Sequence, residues 1–203
     1  VIFRVVVPVV LGFFLTGCNQ PPEYTGLALS ELKPEIAPGK SQLILSGHAI
    51  PVDLETAKNP PQTVYFWKAH GETIDTEIYE LYPDRYKLRA AVSEGFDPPV
   101  VLVQSAISQG QTWNWKGEVV LMSGDKMLTG DNVRRPAEAT VAVQEERINV
   151  LGGPYDAFRV TVNLKIMEGT RAAKPRKLQF WFVKGKGLVK RVFDETSTRE
   201  PAP

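Results

Sequence analysis

The chain has 203 residues, with 24 Lys+Arg against 23 Asp+Glu, two His and one Cys. A body of this length buries roughly 70% of the surface its unfolded chain exposes, so it needs no disulfide or metal to hold it together. One cysteine excludes an internal disulfide framework and a Cys-rich zinc site, and two histidines argue against a His-based metal centre. The near-balanced charge gives no electrostatic footprint for nucleic acid, and nothing in the composition asks for a cofactor.

The chain begins with an address. Arg4 is the only charge before the cysteine, and Val5 to Leu15 form an apolar run of 11 residues. A bilayer span needs about 20 apolar residues and a signal-peptide core about 7–15, so the run reads as a signal peptide. It ends in Leu15-Thr16-Gly17-Cys18. This stretch resembles a bacterial lipobox: a large apolar residue, two small residues, then a cysteine. The resemblance implies that the Cys18 thiol receives a diacylglycerol, that residues 1–17 are removed, and that the new amino group is acylated in turn. Each buried CH₂ contributes about 0.8 kcal/mol, so two or more chains give stable anchoring. An ordinary signal peptide with a chance cysteine, or an uncleaved anchor, is the alternative. Cleavage removes Arg4 and no acid, which leaves the mature chain's charges balanced. Membrane affinity is then expected from the lipid rather than from a basic face. Asn19 is not the aspartate that retains lipoproteins in the inner membrane of enteric bacteria, so that rule favours the outer membrane, in a host that has one.

Residues 19–40 contain four prolines and few large apolar side chains, and read with Cys18 as a flexible tether, 18–40. Leu27 to Leu32 can form one helical turn. Residues 41–46 read as a short strand, and 51–62, with Pro51, Pro60 and Pro61, as loop. From Thr63 the dominant period is two. Runs 73–82 and 85–92 flank the turn Pro83-Asp84, and 99–107 is a further strand candidate. Over 111–121, Trp113, Trp115, Gly117, Val119 and Leu121 share one face. Ser123-Gly124-Asp125-Lys126 reads as a hairpin turn, with Lys126 to Val133 returning. In 159–167, Val160, Val162, Leu164 and Ile166 alternate with Arg159, Thr161, Asn163 and Lys165, an arrangement that a helix would scatter. Runs 177–183 and 187–193 pair around Gly185-Lys186-Gly187. The expected fold is mainly β: a single curved antiparallel sheet, half-barrel or closed barrel, with little helix, over residues 41–194, followed by a disordered tail, 195–203.

Three stretches resemble a group of poorly characterised bacterial envelope lipoproteins. They are Gly110-Gln111-Thr112-Trp113-Asn114-Trp115-Lys116-Gly117 (G-x-x-W-x-[WY]-x-G), Gly153-Pro154-Tyr155-Asp156-Ala157-Phe158-Arg159-Val160 (G-x-[FY]-x-A-x-[RK]-V), and Phe180 to Lys190, like W-[FY]-x-x-G-x-G-[LI]-V-[KR]. The resemblance covers 110–191, implies a curved antiparallel sheet and brings no catalytic residues. More loosely, the body is similar to the LolA/LolB and LppX half-barrel lipoproteins, which wrap a sheet around an apolar cavity.

Ser123-Gly124-Asp125-Lys126 matches S-x-x-K, but Gly and Asp favour a turn, and no partner motif follows. There is no nucleophile elbow and no phosphate loop. His48 and His70 are too far apart in sequence for a two-His ligand pair. Glu145 and Glu146 are neighbours that point opposite ways on a strand. Arg171, Lys174, Arg176 and Lys177 surround Pro175 and read as a solvated loop, with contact to lipid phosphate or an acidic polymer as the functional reading. No catalytic and no metal-ligating residue is expected, and the chain reads as a non-enzyme.

The aromatics remain. Trp113 and Trp115 belong with the core. Trp181 opposes the apolar face of Leu178, Phe180 and Phe182, while Tyr65 and Trp67 oppose Val64 and Phe66. Strands apolar on both sides imply a sheet covered on both faces or one face lining a pocket. Trp181 and Trp67 are therefore the candidate ligand-binding residues, with packing as the alternative. Two functions follow. One is a membrane-anchored, non-catalytic binding or carrier module for a hydrophobic ligand. The other is a structural or assembly lipoprotein that binds another envelope component, such as a protein, through its surface. A cavity lined by Trp67 or Trp181 favours the first, and a filled interior with an apolar outer patch favours the second.

Overall fold

The computed structural model describes residues 26–150, 152–168, 171–172, 175–194 and 197–202. In chain order the elements are β1 (Leu27–Ala28), α1 (Leu29–Leu32), β2 (Gly39–Leu45), β3 (His48–Asn59), β4 (Gln62–Ala69), β5 (Glu72–Tyr82), β6 (Arg85–Ala91), β7 (Glu94–Val103) and β8 (Ala106–Ile107). There follow β9 (Thr112–Ser123), β10 (Lys126–Met127), β11 (Arg134–Val150), β12 (Gly153–Glu168), β13 (Arg171–Ala172), β14 (Arg176–Val183), β15 (Gly187–Phe193) and β16 (Ser197–Pro201).

Twelve of these strands close a barrel in which each pairs antiparallel with the next long strand of the chain, from β2 round to β16. The seam joins β16 to β2, with Arg199 opposite Leu43, and β7 pairs directly with β9, with Phe96 opposite Val119. The expected curved sheet is thus a closed one, which leaves no open edge on the ring. Its outer surface carries Asn114, Lys116, Glu138, Thr140, Asn163 and Lys165 around one shallow depression.

A ring of twelve strands encloses more space than aliphatic side chains from its walls would fill. Aromatic rings and the N-terminal segment occupy it. Tyr65 meets Tyr79 edge-on at 5.8 Å, Tyr79 stacks on Tyr86 at 5.2 Å, and Tyr86 meets Phe182 edge-on at 6.1 Å, which links β4, β5 and β6 to β14 across the lumen. Leu29, Leu32 and Ile36 belong to the same continuous core. Residues 26–36 therefore plug one end of the barrel, which corrects the expected tether over that part of 18–40. The Leu29 amide donates to the Ser105 carbonyl at 3.0 Å, the Gly185 amide to the Glu31 carbonyl at 3.1 Å, and the Ile36 amide to the Tyr65 hydroxyl at 3.1 Å.

Three further expectations are corrected. Residues 51–59 lie in strand β3, not in a loop. Pro51 is tolerated because β4 pairing begins only at Asp53, so that stretch is paired on the β2 side alone. Residues 197–201 are not a tail but the strand that closes the seam, with Arg199 buried. The return of Lys126 to Val133 shortens to β10 and a 3-10 turn at Asp131–Val133. The longest strand, β11, has no counterpart among the expected elements. Its inward residues are Ala137, Ala139, Val141 and Val143, whose small side chains give a weak alternating signal.

Candidate functional site

The polar centre of the molecule is inside the barrel. Inward-facing positions on β5 carry Asp75, Glu77 and Tyr79. β15 supplies Arg191, β16 supplies Arg199, and β4 supplies Tyr65 and Trp67. Glu77 is 0% exposed, Arg191 1% and Arg199 3%. Glu77 Oε1 accepts from Arg199 Nη1 at 2.9 Å, while its Oε2 lies 3.2 Å from Arg191 Nε and accepts from the Tyr79 hydroxyl at 2.8 Å. Arg199 Nη2 also donates to Asp75. Both guanidinium groups lie over the Trp67 ring, Arg191 at 4.7 Å and Arg199 at 5.5 Å. Two cations and two carboxylates balance, which is what permits their burial.

Donors nonetheless outnumber acceptors. Arg191 Nη1, Arg199 Nε, Trp67 Nε1 and the Tyr86 hydroxyl are buried without a hydrogen-bond partner. Burial raises the Asp75 carboxyl, opposed by Arg199. Burial also pushes the Tyr65 phenol up to about 12 and holds Tyr79 and Tyr86 well above the ordinary phenol range. These phenols stay protonated across physiological pH.

The end opposite the plug is bridged by a second charged set. Arg135 donates to Glu94 at 2.8 Å, and Arg176 donates both to Glu94 and, at 2.7 Å, to Asp194. Arg176, expected in a solvated basic loop, thus ties β14 to the β6–β7 turn. The side chains of Arg171 and Lys174 lie outside the described residues.

Trp67 is fully buried within the barrel interior, among the arginines. Trp181 points outward from the barrel wall, as its alternation implies, but is only 6% exposed. It packs with Val150, Ala157, Val183 and Val189 in a separate small cluster, flanked by Ile148, Tyr155 and Val192. The far end of the β11–β12 hairpin curls over this face, and its tip residues Asn149, Gly153 and Pro154 share a depression with Gln42 and Glu200. Trp181 Nε1 donates to Glu146, which also pairs with Arg159 at 2.9 Å. The structure does not bring Trp67 and Trp181 together. Neither lines the depressions around Asn114 and Lys165 or around Gln42 and Glu200, nor a more apolar one of about 430 Å³ beside Leu27, Ala157, Phe158 and Lys184.

Leu15, Thr16, Gly17 and Cys18 lie outside the described residues. Ser123 and Lys126 are register partners flanking the Gly124-Asp125 turn, so the S-x-x-K spacing belongs to a hairpin rather than to the first turn of a helix. His48 and His70 are exposed, each beside a turn. Among the described residues no group of His, Cys, Asp and Glu is placed to hold a metal ion.

The fold defines a class: a closed up-and-down antiparallel barrel with a plugged end and a paired ionic centre. No family model matches the chain, and no curated protein matches it in sequence. Among solved structures it is similar to the hypothetical lipoprotein YmcC from Escherichia coli, at 13% identity and a TM-score of 0.45, over 83% of this chain and 86% of that one. It is similar to a candidate lipoprotein from Parabacteroides distasonis at 9% identity and a TM-score of 0.46, over 83% of this chain and 94% of that one. A candidate exported protein with a YmcC-like fold from Bacteroides fragilis has 11% identity and a TM-score of 0.35, over 86% of this chain and 97% of that one.

Proposed function

We propose that this is a lipid-anchored protein of the bacterial envelope whose barrel acts without catalysis, through its outer surface, on another envelope component. Leu15-Thr16-Gly17-Cys18 after the apolar run supports the anchor. The observation that carries the surface reading is that large described side chains occupy the lumen while Leu45, Ile74, Leu121 and Leu128 are exposed outside it. The Tyr65–Tyr79–Tyr86–Phe182 chain of rings spans the lumen, and Trp67 is closed in by two arginines. A carrier of an apolar ligand needs a continuous apolar cavity, and these side chains occupy the place where a half-barrel would hold one.

Two measurements test this. Fatty-acid labelling of the wild type and of Cys18→Ser should show label on the first alone, with the variant keeping residues 1–17 uncleaved. Native mass spectrometry of the mature protein should show the Cys18 adduct and no second lipid. A second apolar molecule retained at one per chain would overturn the surface reading in favour of the carrier.

A further inference from the structure

We infer that the plugged end of the barrel is its membrane-facing surface, seated against lipid headgroups. The inference rests on the lipid anchor at Cys18. Because Leu29, Leu32 and Ile36 are fixed in the core, the chain joins the body at Gly26, at the plugged end. Gly26 is only eight residue steps from Cys18, and eight steps reach about 28 Å when fully extended. The barrel is at least as tall as that. β3 has 12 residues, which at about 3.3 Å each and a tilt near 40° gives roughly 30 Å. An inverted molecule would need the tether fully extended along the whole height of the wall, with no length left to enter the bilayer. The plugged end therefore stays against the bilayer.

That end is chemically suited to headgroups. The plug and the adjoining β14–β15 turn present exposed Lys33, Lys184 and Lys186, and Lys58 stands at the end of β3. Lys184 pairs with Glu31 at 3.1 Å and Lys58 with Glu35 at 2.8 Å. Lys33 and Lys186 stand exposed beside these pairs, and Glu145, Glu146, Arg147 and Asp156 line the neighbouring depression with Leu27 and Lys184. Lysines of this kind favour the phosphates of an anionic leaflet. The opposite end, with the β2–β3, β4–β5, β6–β7 and β9–β10 turns, points away from the membrane. The exposed large hydrophobic residues among those described, Leu45, Ile74, Leu121 and Leu128, all sit on that end.

The only native thiol is the lipidated one, so a single added cysteine can be labelled selectively. Lys186→Cys marks the plugged end and Asp125→Cys the opposite end; both positions are exposed turn residues. Each protein, purified with its lipid, is labelled with a fluorophore and reconstituted into vesicles of phosphatidylethanolamine and phosphatidylglycerol carrying a headgroup quencher. The label at position 186 should be quenched several-fold more than the label at 125. Equal or reversed quenching in protein that carries its fatty acid would overturn the orientation alone. Absence of fatty acid on Cys18 would remove the anchor, and the orientation with it.

Discussion

Arg191 on β15 stands directly opposite Arg199 on β16 in the sheet register, and both side chains enter the barrel to share the carboxylate of Glu77. Like charges in this relation repel, so the arrangement holds only while the carboxylate lies between them.

Glu77→Gln should therefore be far more damaging than its near-isosteric change suggests. It leaves two buried guanidinium groups with Asp75 alone, and the expected loss is about 3–5 kcal/mol in a denaturant titration. Glu55→Gln breaks the exposed Lys68–Glu55 pair and should cost under about 1 kcal/mol. Replacing Glu77, Arg191 and Arg199 by Met together with Asp75→Asn should recover most of the loss, since the cost arises from unpaired charge rather than from missing volume. A fourfold variant no more stable than Glu77→Gln would sink that account.

This network was not legible in the sequence, for a physical reason. Glu77 and Arg199 lie 122 residues apart along the chain. Alternation assigns Asp75, Glu77 and Tyr79 to one face of β5 but does not say which face is inside. By contrast Val160, Val162, Leu164 and Ile166 face inward as their spacing implies, because four apolar residues at period two have only one favourable side. The outward direction of Trp181 was equally readable. Its burial was not, because the cover comes from a curled hairpin whose longer strand, β11, carries mostly small inward residues. The plug was hidden by Pro34 and by the prolines on either side of it, which suit an extended segment whether it is solvated or docked.

Alkaline pH should unfold the barrel. Folding raises the phenol pKa of Tyr65 to about 12 and lifts those of Tyr79 and Tyr86 well above the ordinary phenol range, chiefly by desolvation. A raised folded pKa means that the native state keeps its proton where the unfolded state has lost it. The stability tied to these groups is fully present below about pH 10 and is lost as pH climbs through 12 and beyond. Phenolate absorbance of the six tyrosines should rise in two phases, the later one together with loss of the far-ultraviolet signal. A single phase near pH 10 with the fold intact would contradict the burial of these rings.

Trp181→Ala should cost about 3–5 kcal/mol, the range for a large buried aromatic. The ring fills the cluster of Val150, Ala157, Val183 and Val189, and its Nε1 donates to Glu146. Trp181→Phe keeps most of the packing and loses the hydrogen bond, so it should cost less than half as much. A thermal melt of Trp181→Ala that coincides with wild type would show that the hairpin does not cover this face.

The plug can be tested at one turn, because Gly185 and Gly187 share a left-handed backbone but not their surroundings. Their φ values are +68° and +81°. A Cβ on Gly185 would meet nothing within 4 Å, whereas one on Gly187 would fall 2.2 Å from the Glu35 carbonyl oxygen and 2.4 Å from that of Lys33. Gly185→Ala should then cost only the conformational strain, roughly 1–2 kcal/mol. Gly187→Ala adds a clash with main chain that can be relieved only by moving residues 33–35 outward. Hydrogen exchange separates the two. In Gly187→Ala the amides of Leu29 and Ile36, which donate to Ser105 and to the Tyr65 hydroxyl, should lose protection while those of β12 and β14 keep theirs. In Gly185→Ala the plug amides should stay protected. Equal loss in both variants would mean that the plug is held by the turn's conformation and not by the close approach of Gly187.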